Sequence, residues 1–187
     1  ALQTPRVQQI ASVQVESPAY LNDPAFQAAA LDANIDLVIF DQCSPKQMPS
    51  TNTLFIGSVP PAVSGSDASS SESKSNVWKF GQTQGPALIL DVNRSNPITQ
   101  YLEMGSVSIV EARTIDPGES GMVLMTSDIG PVFAIAPRGP FQDAVLGFSI
   151  VQATSEGVGV NTDWGIKRSC PVFVYATVES LGGGITE

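Results

Sequence analysis

The sequence predicts a single α/β domain that is rich in strands. Three observations carry that expectation. Short apolar runs recur along the chain, each bounded by Gly, Pro, Asp or Ser, as strands are. Two of them, "LVIF" and "LFI", are apolar at every position, which suits central strands covered on both faces. Other segments begin with a capping residue and a proline, the signature of a helix start.

Taken in order, "VQQIASVQV" (7–15) reads as a strand. "NDPAFQAAALDAN" reads as a helix, with Asn22 or Asp23 as cap, Pro24 in the first turn and Phe26, Ala29 and Ala30 as its apolar face. Strands follow at "IDLVIFD" (35–41) and "TLFIGSV" (53–59). Residues 64–76, "SGSDASSSESKSN", have no apolar anchor and read as a flexible loop. Strands continue on both sides of it, so residues 1–187 form one domain.

Beyond the loop, "ALILD" (87–91) reads as a strand and "SNPITQYLEMG" as a helix. Ser95 or Asn96 caps that helix, Pro97 follows, and Ile98, Tyr101 and Leu102 share a side. "VSIVEAR" (107–113) alternates as a half-exposed antiparallel strand does. "GMVLMT" (121–126), "PVFAIA" (131–136) and "AVLGFSIVQ" (144–152) are further strands, with a turn at "IDPGES" (115–120). The last element, "CPVFVYATVESLGGG", is expected to be a helix. Pro171 lies near its start, Gly182 just past its end, and Val174, Val178 and Leu181 on one face.

The totals limit the function. Of 187 residues, 42% are hydrophobic and 14% charged, enough apolar content for a core. Nine basic residues against 18 acidic ones give a net charge of −9, which disfavours nucleic acid as a partner. No apolar run approaches the roughly 20 residues of a membrane span, so no direct insertion is expected. The chain opens on "ALQTPRVQQI" without a signal-peptide pattern, as a piece excised from a longer protein would. There is no histidine, so the common Ser-His and Cys-His pairs cannot be assembled. No catalytic residue, metal ligand or cofactor is therefore assigned.

Several residues still invite a chemical reading. Cys170, beside Lys167 and Arg168 at a helix start, sits where thiolates are stabilised. With no histidine to act as base, packing is the plainer role, and Cys43 in "DQCSP" faces the same objection. Asp67-Ala-Ser-Ser-Ser71 matches the D-x-S-x-S element with which von Willebrand A domains hold a cation. It lies in a serine tract rather than at a strand end, so no metal is assigned to it. Asp41 and Asp91 end strands, where open α/β sheets bind ligands. "NTDWG" adds Asp163 and Trp164. These four, Asp41, Asp91, Asp163 and Trp164, form the candidate binding set at a strand-end cleft, against the plainer role of turn formers, caps and a buried aromatic. Asn93-Arg94-Ser95 is a formal glycosylation sequon.

The order of the pieces adds a resemblance. "DLVIFDQCSPKQMPSTNTLFIGSVPP", "GPALILDVNRSNPITQYLEMGSVSI", "GPVFAIAPRG", "AVLGFSI" and "TDWGIKRSCPVFVYATVESLGG" together span about residues 35–184. In sequence and spacing they resemble the class I glutamine amidotransferase-like domain of bacterial membrane proteins. Those proteins also carry an aerotolerance-type N-terminal region and a von Willebrand A domain. The resemblance implies a flavodoxin-like three-layer α/β sheet, here lacking a recognisable first βα unit. It also implies a membrane-anchored parent and a periplasmic or other extracytoplasmic location. Where a working amidotransferase carries its nucleophile on a G-x-C-x-G turn, this chain offers Ser58 between Ile56 and Pro60.

The expected function is accordingly a non-catalytic interaction or ligand-sensing domain. Its partners would be another protein, other domains of the parent chain, or a second copy covering an open sheet edge. Two alternatives are a carboxylate- or metal-dependent hydrolase and an extracellular all-β adhesion module.

Overall fold

A computed structural model describes residues 5–31, 35–61, 78–155 and 157–183. The serine-rich loop at 64–76 and the Asp67 element within it lie outside the described residues. The elements are α1 (Pro5–Gln8), a 3-10 turn (Pro18–Asn22), α2 (Pro24–Leu31), β1 (Leu37–Asp41), β2 (Asn52–Ile56), β3 (Lys79–Gln84), β4 (Ile89–Val92) and β5 (Ala112–Asp116). They continue with β6 (Met122–Ser127), β7 (Gly130–Arg138), β8 (Phe141–Leu146), β9 (Val151–Thr154), β10 (Gly157–Val160), a 3-10 turn (Asp163–Ile166) and α3 (Ser169–Leu181).

A mixed sheet of order β1-β2-β8-β7-β6-β4 is the frame, and β3-β5 and β9-β10 form separate two-stranded ribbons. β1, β2 and β8 run parallel, while β8, β7, β6 and β4 are successively antiparallel. Gly139, at φ 59, lets Gly139-Pro140 turn β7 back into β8, a position for which glycine is suited.

Side chains alternate across this sheet as the pleat requires. Leu54, Ala144, Leu146, Phe133 and Ile135 enter one apolar cluster, under α3 and Trp164. Phe40, Phe55, Val145, Ala134 and Ala136 enter the other, with Phe26, Trp78 and Ile115. Phe40 and Phe55 stack at 4.7 Å, and burial of each such ring contributes about 1.5–3 kcal/mol. At the starting ends of the strands, the buried Asp143 carboxylate accepts from Thr53 Oγ1 at 2.7 Å and from Arg138 Nε at 2.9 and 3.1 Å.

α3 forms despite its β-branched residues because tertiary burial outweighs local preference. Cys170, Phe173, Thr177 and Leu181 are buried on one stripe, and Asn52 Nδ2 donates to Leu181 O at 2.7 Å. Pro171 falls in the first turn, where its missing N–H costs nothing. Gly182 closes the helix by donating to Val178 O at 2.8 Å.

The flavodoxin-like expectation is overturned. The chain is 37% strand and 19% helix, and only half of the main sheet is parallel. A doubly wound sheet needs a crossover helix between successive parallel strands, yet residues 42–51 join β1 to β2 without one. Several local expectations also fail. The strand expected at 107–113 begins only at Ala112, in β5, with Ile109 making isolated bridges, and the strand expected at 144–152 is interrupted between β8 and β9. Residues 7–15 form no strand: α1 ends at Gln8, and irregular chain follows. The helix expected at "SNPITQYLEMG" is a series of turns, held by Asn96 Oδ1 accepting from Ile98 N–H at 2.9 Å. Ile98 and Leu102 are buried there but Tyr101 is 72% exposed, so the anchoring ends with little more than one turn.

Candidate functional site

The carboxyl ends of β1, β2 and β8 form one crest. Asp41 pairs with Ile56 and Ile56 with Leu146, so the chain leaves all three strands at the same level. The ladder runs one step further: Gln42 N–H donates to Ile56 O at 2.8 Å and Gly57 N–H to Leu146 O at 2.9 Å. To make that step, Gln42 takes φ 53 and Gly57 φ 65. Glycine adopts this left-handed region freely, whereas for glutamine it is uncommon and costs about 1 kcal/mol. A Cβ on Gly57 would lie 3.3 Å from Gln42 Cγ and 3.3 Å from Ser149 Cβ, so these two side chains close over the glycine.

The polar groups of the crest are engaged with one another. Ser58 Oγ donates to Cys43 O at 2.8 Å, and Ser44 Oγ donates to Val59 O at 2.7 Å. Gln42 Nε2 donates to the exposed Asp41 carboxylate at 3.3 Å. Burial, and then the charge of Asp41, push the Cys43 thiol up, which favours the unreactive protonated form. Burial also pushes up the Cys170 thiol, against the lowering that its helix-start position and basic neighbours suggest. The two cysteines are free.

The four predicted site residues do not converge. Asp41 ends β1 and Asp91 lies in β4, the opposite edge strands of the main sheet. Five inter-strand steps of about 4.8 Å separate those edges by about 24 Å. Asp163 and Trp164 are together, in the turn before α3, and both are engaged. One Asp163 oxygen accepts from Ser108 N–H at 2.8 Å, and the other pairs with Lys167 Nζ at 3.0 Å. The Ser108 bond, followed by Lys167, lowers the Asp163 pKa. Trp164 is fully buried, donates from Nε1 to Ser169 Oγ at 2.9 Å, and packs 4.8 Å from Phe173.

Grooves lie elsewhere. One, shallow and open, of about 480 Å³, is lined by Thr83, Gly85, Pro86, Ser108, Val110 and Glu111. None of the four predicted residues lines it. Among the described residues, no group of three or more Asp, Glu, Cys or His side chains could hold a metal ion. No protein-family model matches the chain, and no curated protein matches it.

Sequence reasoning passed over two features. Gln42 follows a strand directly in "DQCSP", but nothing in those letters announces a left-handed glutamine. The β9-β10 hairpin was legible in principle, since "GVGV" alternates with the two-residue period of a strand.

Proposed function

We infer that the protein is a non-catalytic interaction module. The observation that carries this reading is the state of the crest. Its one hydroxyl at the expected nucleophile position, Ser58, is committed to the Cys43 carbonyl, and the neighbouring thiol is held protonated by burial. With no histidine in the chain, nothing supplies the imidazole that usually activates such groups. The outer surface, in contrast, displays large apolar side chains, with Val158 at 80% and Ile166 at 89% exposure.

The setting rests on the resemblance described above. It suggests a larger membrane-anchored bacterial protein, with this part on the extracytoplasmic face, contacting other domains of that protein or a separate partner. No helix among the described residues is long and apolar enough to cross a membrane.

The test is ammonia release from glutamine by the purified chain, together with hydrolysis of a simple ester and a phosphoester. Rates equal to a buffer blank are expected. A rate above blank that disappears in Ser58→Ala or Cys43→Ala would overturn the reading.

A further inference from the structure

The chain holds one Asn-x-Ser/Thr sequence, Asn93-Arg94-Ser95, and no role described so far uses it. Such a sequence marks the acceptor of an N-linked glycan where it lies on the surface of an exported protein. Its place in the fold meets that condition. β4 ends at Val92, and Asn93 adds one more rung, its N–H donating to Leu124 O at 2.9 Å. The chain then leaves the sheet, and Arg94 and Ser95 are both exposed.

The turn engages one end of the Asn93 amide and leaves the other open. Oδ1 accepts from Ser95 N–H at 3.0 Å, which folds the serine back over the asparagine. That bond polarises the side-chain carbonyl and makes the Nδ2 protons more acidic. Nδ2 itself has no partner among the described residues. The turn is secured from behind instead: the buried Thr99 donates from Oγ1 to Asn93 O, and Arg94 Nη1 donates to Gln100 O at 3.1 Å.

The residues before the asparagine add a second observation. Val92 packs against the apolar cluster under α3, so the alternation of a strand sends Asp91 and Asn93 to the other face. Asp91 is exposed. The stretch therefore reads Asp-x-Asn-x-Ser, with acid and acceptor on one side. This is the acid-extended form of the sequon that bacterial transferases select.

We propose that Asn93 is the acceptor of an N-linked glycan. The donor class is a sugar carried on a polyprenyl pyrophosphate. Asn93 Nδ2 attacks the anomeric carbon, the bond from that carbon to the pyrophosphate oxygen breaks, and an N–C bond forms. The amide proton passes to a base of the transferase, and the polyprenyl pyrophosphate leaves. The proposal goes beyond the module reading and rests on one part of it, the extracytoplasmic location where such donors are presented. β4 is an edge strand of the main sheet. A bulky, hydrated glycan beside it hinders the pairing with other chains that open edges invite.

Transfer to the purified, folded chain by a bacterial oligosaccharyltransferase and its lipid-linked glycan tests this, read by intact mass and peptide mapping. One glycan per chain is expected, on Asn93. Asn93→Asp keeps an oxygen for Ser95 N–H, so it should abolish transfer without changing the circular dichroism spectrum. Ser95→Ala and Asp91→Ala should each abolish it, whereas Ser95→Thr should retain it. A folded wild-type chain that stays unmodified overturns the proposal, whether or not a peptide of residues 89–98 is modified by the same enzyme. So does transfer that survives Asn93→Asp or Ser95→Ala.

These failures are separable from failure of the module reading. An unmodified chain that releases no ammonia from glutamine removes only the glycan site. A modified chain that does release ammonia keeps the site and removes the non-catalytic reading.

Discussion

In the six-stranded sheet, Leu54 and Phe55 point to opposite faces and are 2% and 0% exposed, whereas in the β9-β10 ribbon Val158 is 80% exposed. Both regions use strand-forming residues in alternation. They differ in what lies over them. The main sheet is covered by α3 and Trp164 on one side and by Phe26, Trp78 and Ile115 on the other. The ribbon has its exposed valines on the side that nothing described covers. Alternation thus defines two faces of a strand, while the covering layers decide which face is buried.

The largest expected effect lies in the covered sheet. Arg138→Ala would leave the Asp143 carboxylate, 3% exposed, with Thr53 as its remaining hydrogen-bond partner among those described. Loss of one partner of a buried pair costs about 3 kcal/mol when the lost cation is itself partly exposed. Urea denaturation should show a lower midpoint with an unchanged slope. A loss below about 1 kcal/mol would mean that the sheet tolerates an unpaired charge, and the contrast with the ribbon would weaken.

Next comes the joint between the two regions. Asn161 is buried and its side chain donates to Glu111 O and Ser149 O, each at 2.9 Å, and accepts from Glu111 N–H at 3.0 Å. Asn161→Ala should cost about 2 kcal/mol by leaving these backbone groups unsatisfied. Hydrogen exchange should then quicken in residues 151–160 more than in β6, β7 and β8, because the ribbon depends on its base. Uniform quickening would show that the two regions unfold as one.

Gln42 offers a smaller effect of opposite sign. Its φ of 53 favours glycine, so Gln42→Gly should stabilise the chain by about 1 kcal/mol. Thermal unfolding checks this. A destabilised variant would show that the contacts of the Gln42 side chain over Gly57 outweigh the backbone strain.

The contrast between the regions also explains what was legible in the letters. "LFI" and "VFAIA" are apolar at consecutive positions and lie in central strands buried on both faces. "LVIF", expected to be central as well, forms the edge strand β1, where Phe40 is buried and Leu37, Val38 and Ile39 are half-buried. Pro171 and Gly182 marked the limits of α3 because backbone chemistry acts locally. The pairing order was not legible. β2 lies beside β8, joined by a Thr53–Asp143 bond across 90 positions, and no local pattern selects one partner strand over another. That is also why the strand-end site failed to assemble. Asp41 and Asp91 do lie in strands, but the sheet places those strands at opposite edges. "SNPITQYLEMG" misled for a related reason: its caps are real, as Asn96 shows, but burial of Ile98 and Leu102 fixes turns without requiring a longer helix.

Acid should reveal a weaker tie near the ribbon's base. Asp163 accepts from Ser108 N–H and pairs with Lys167, and its pKa is lowered in that order of cause. A depressed carboxylate contributes stability above its unfolded pKa, near 3.9, and loses it as pH falls through the folded value. The stability difference between wild type and Asp163→Asn should therefore be constant from neutral pH to about 5 and narrow below about 4. A difference that stays constant through pH 3 would mean that the ionised form makes no special contribution.

The smallest effect is expected on the ribbon itself. Val158→Ala should change stability by no more than about 0.5 kcal/mol, because its side chain is 80% exposed and little apolar contact is lost. Truncation of a large aliphatic side chain in a packed core costs about 2–5 kcal/mol, so the two environments predict different outcomes for similar chemistry. Chemical denaturation separates the possibilities. A cost as large as that of a core truncation would mean that Val158 is already packed, and the distinction between covered sheet and open ribbon would fail.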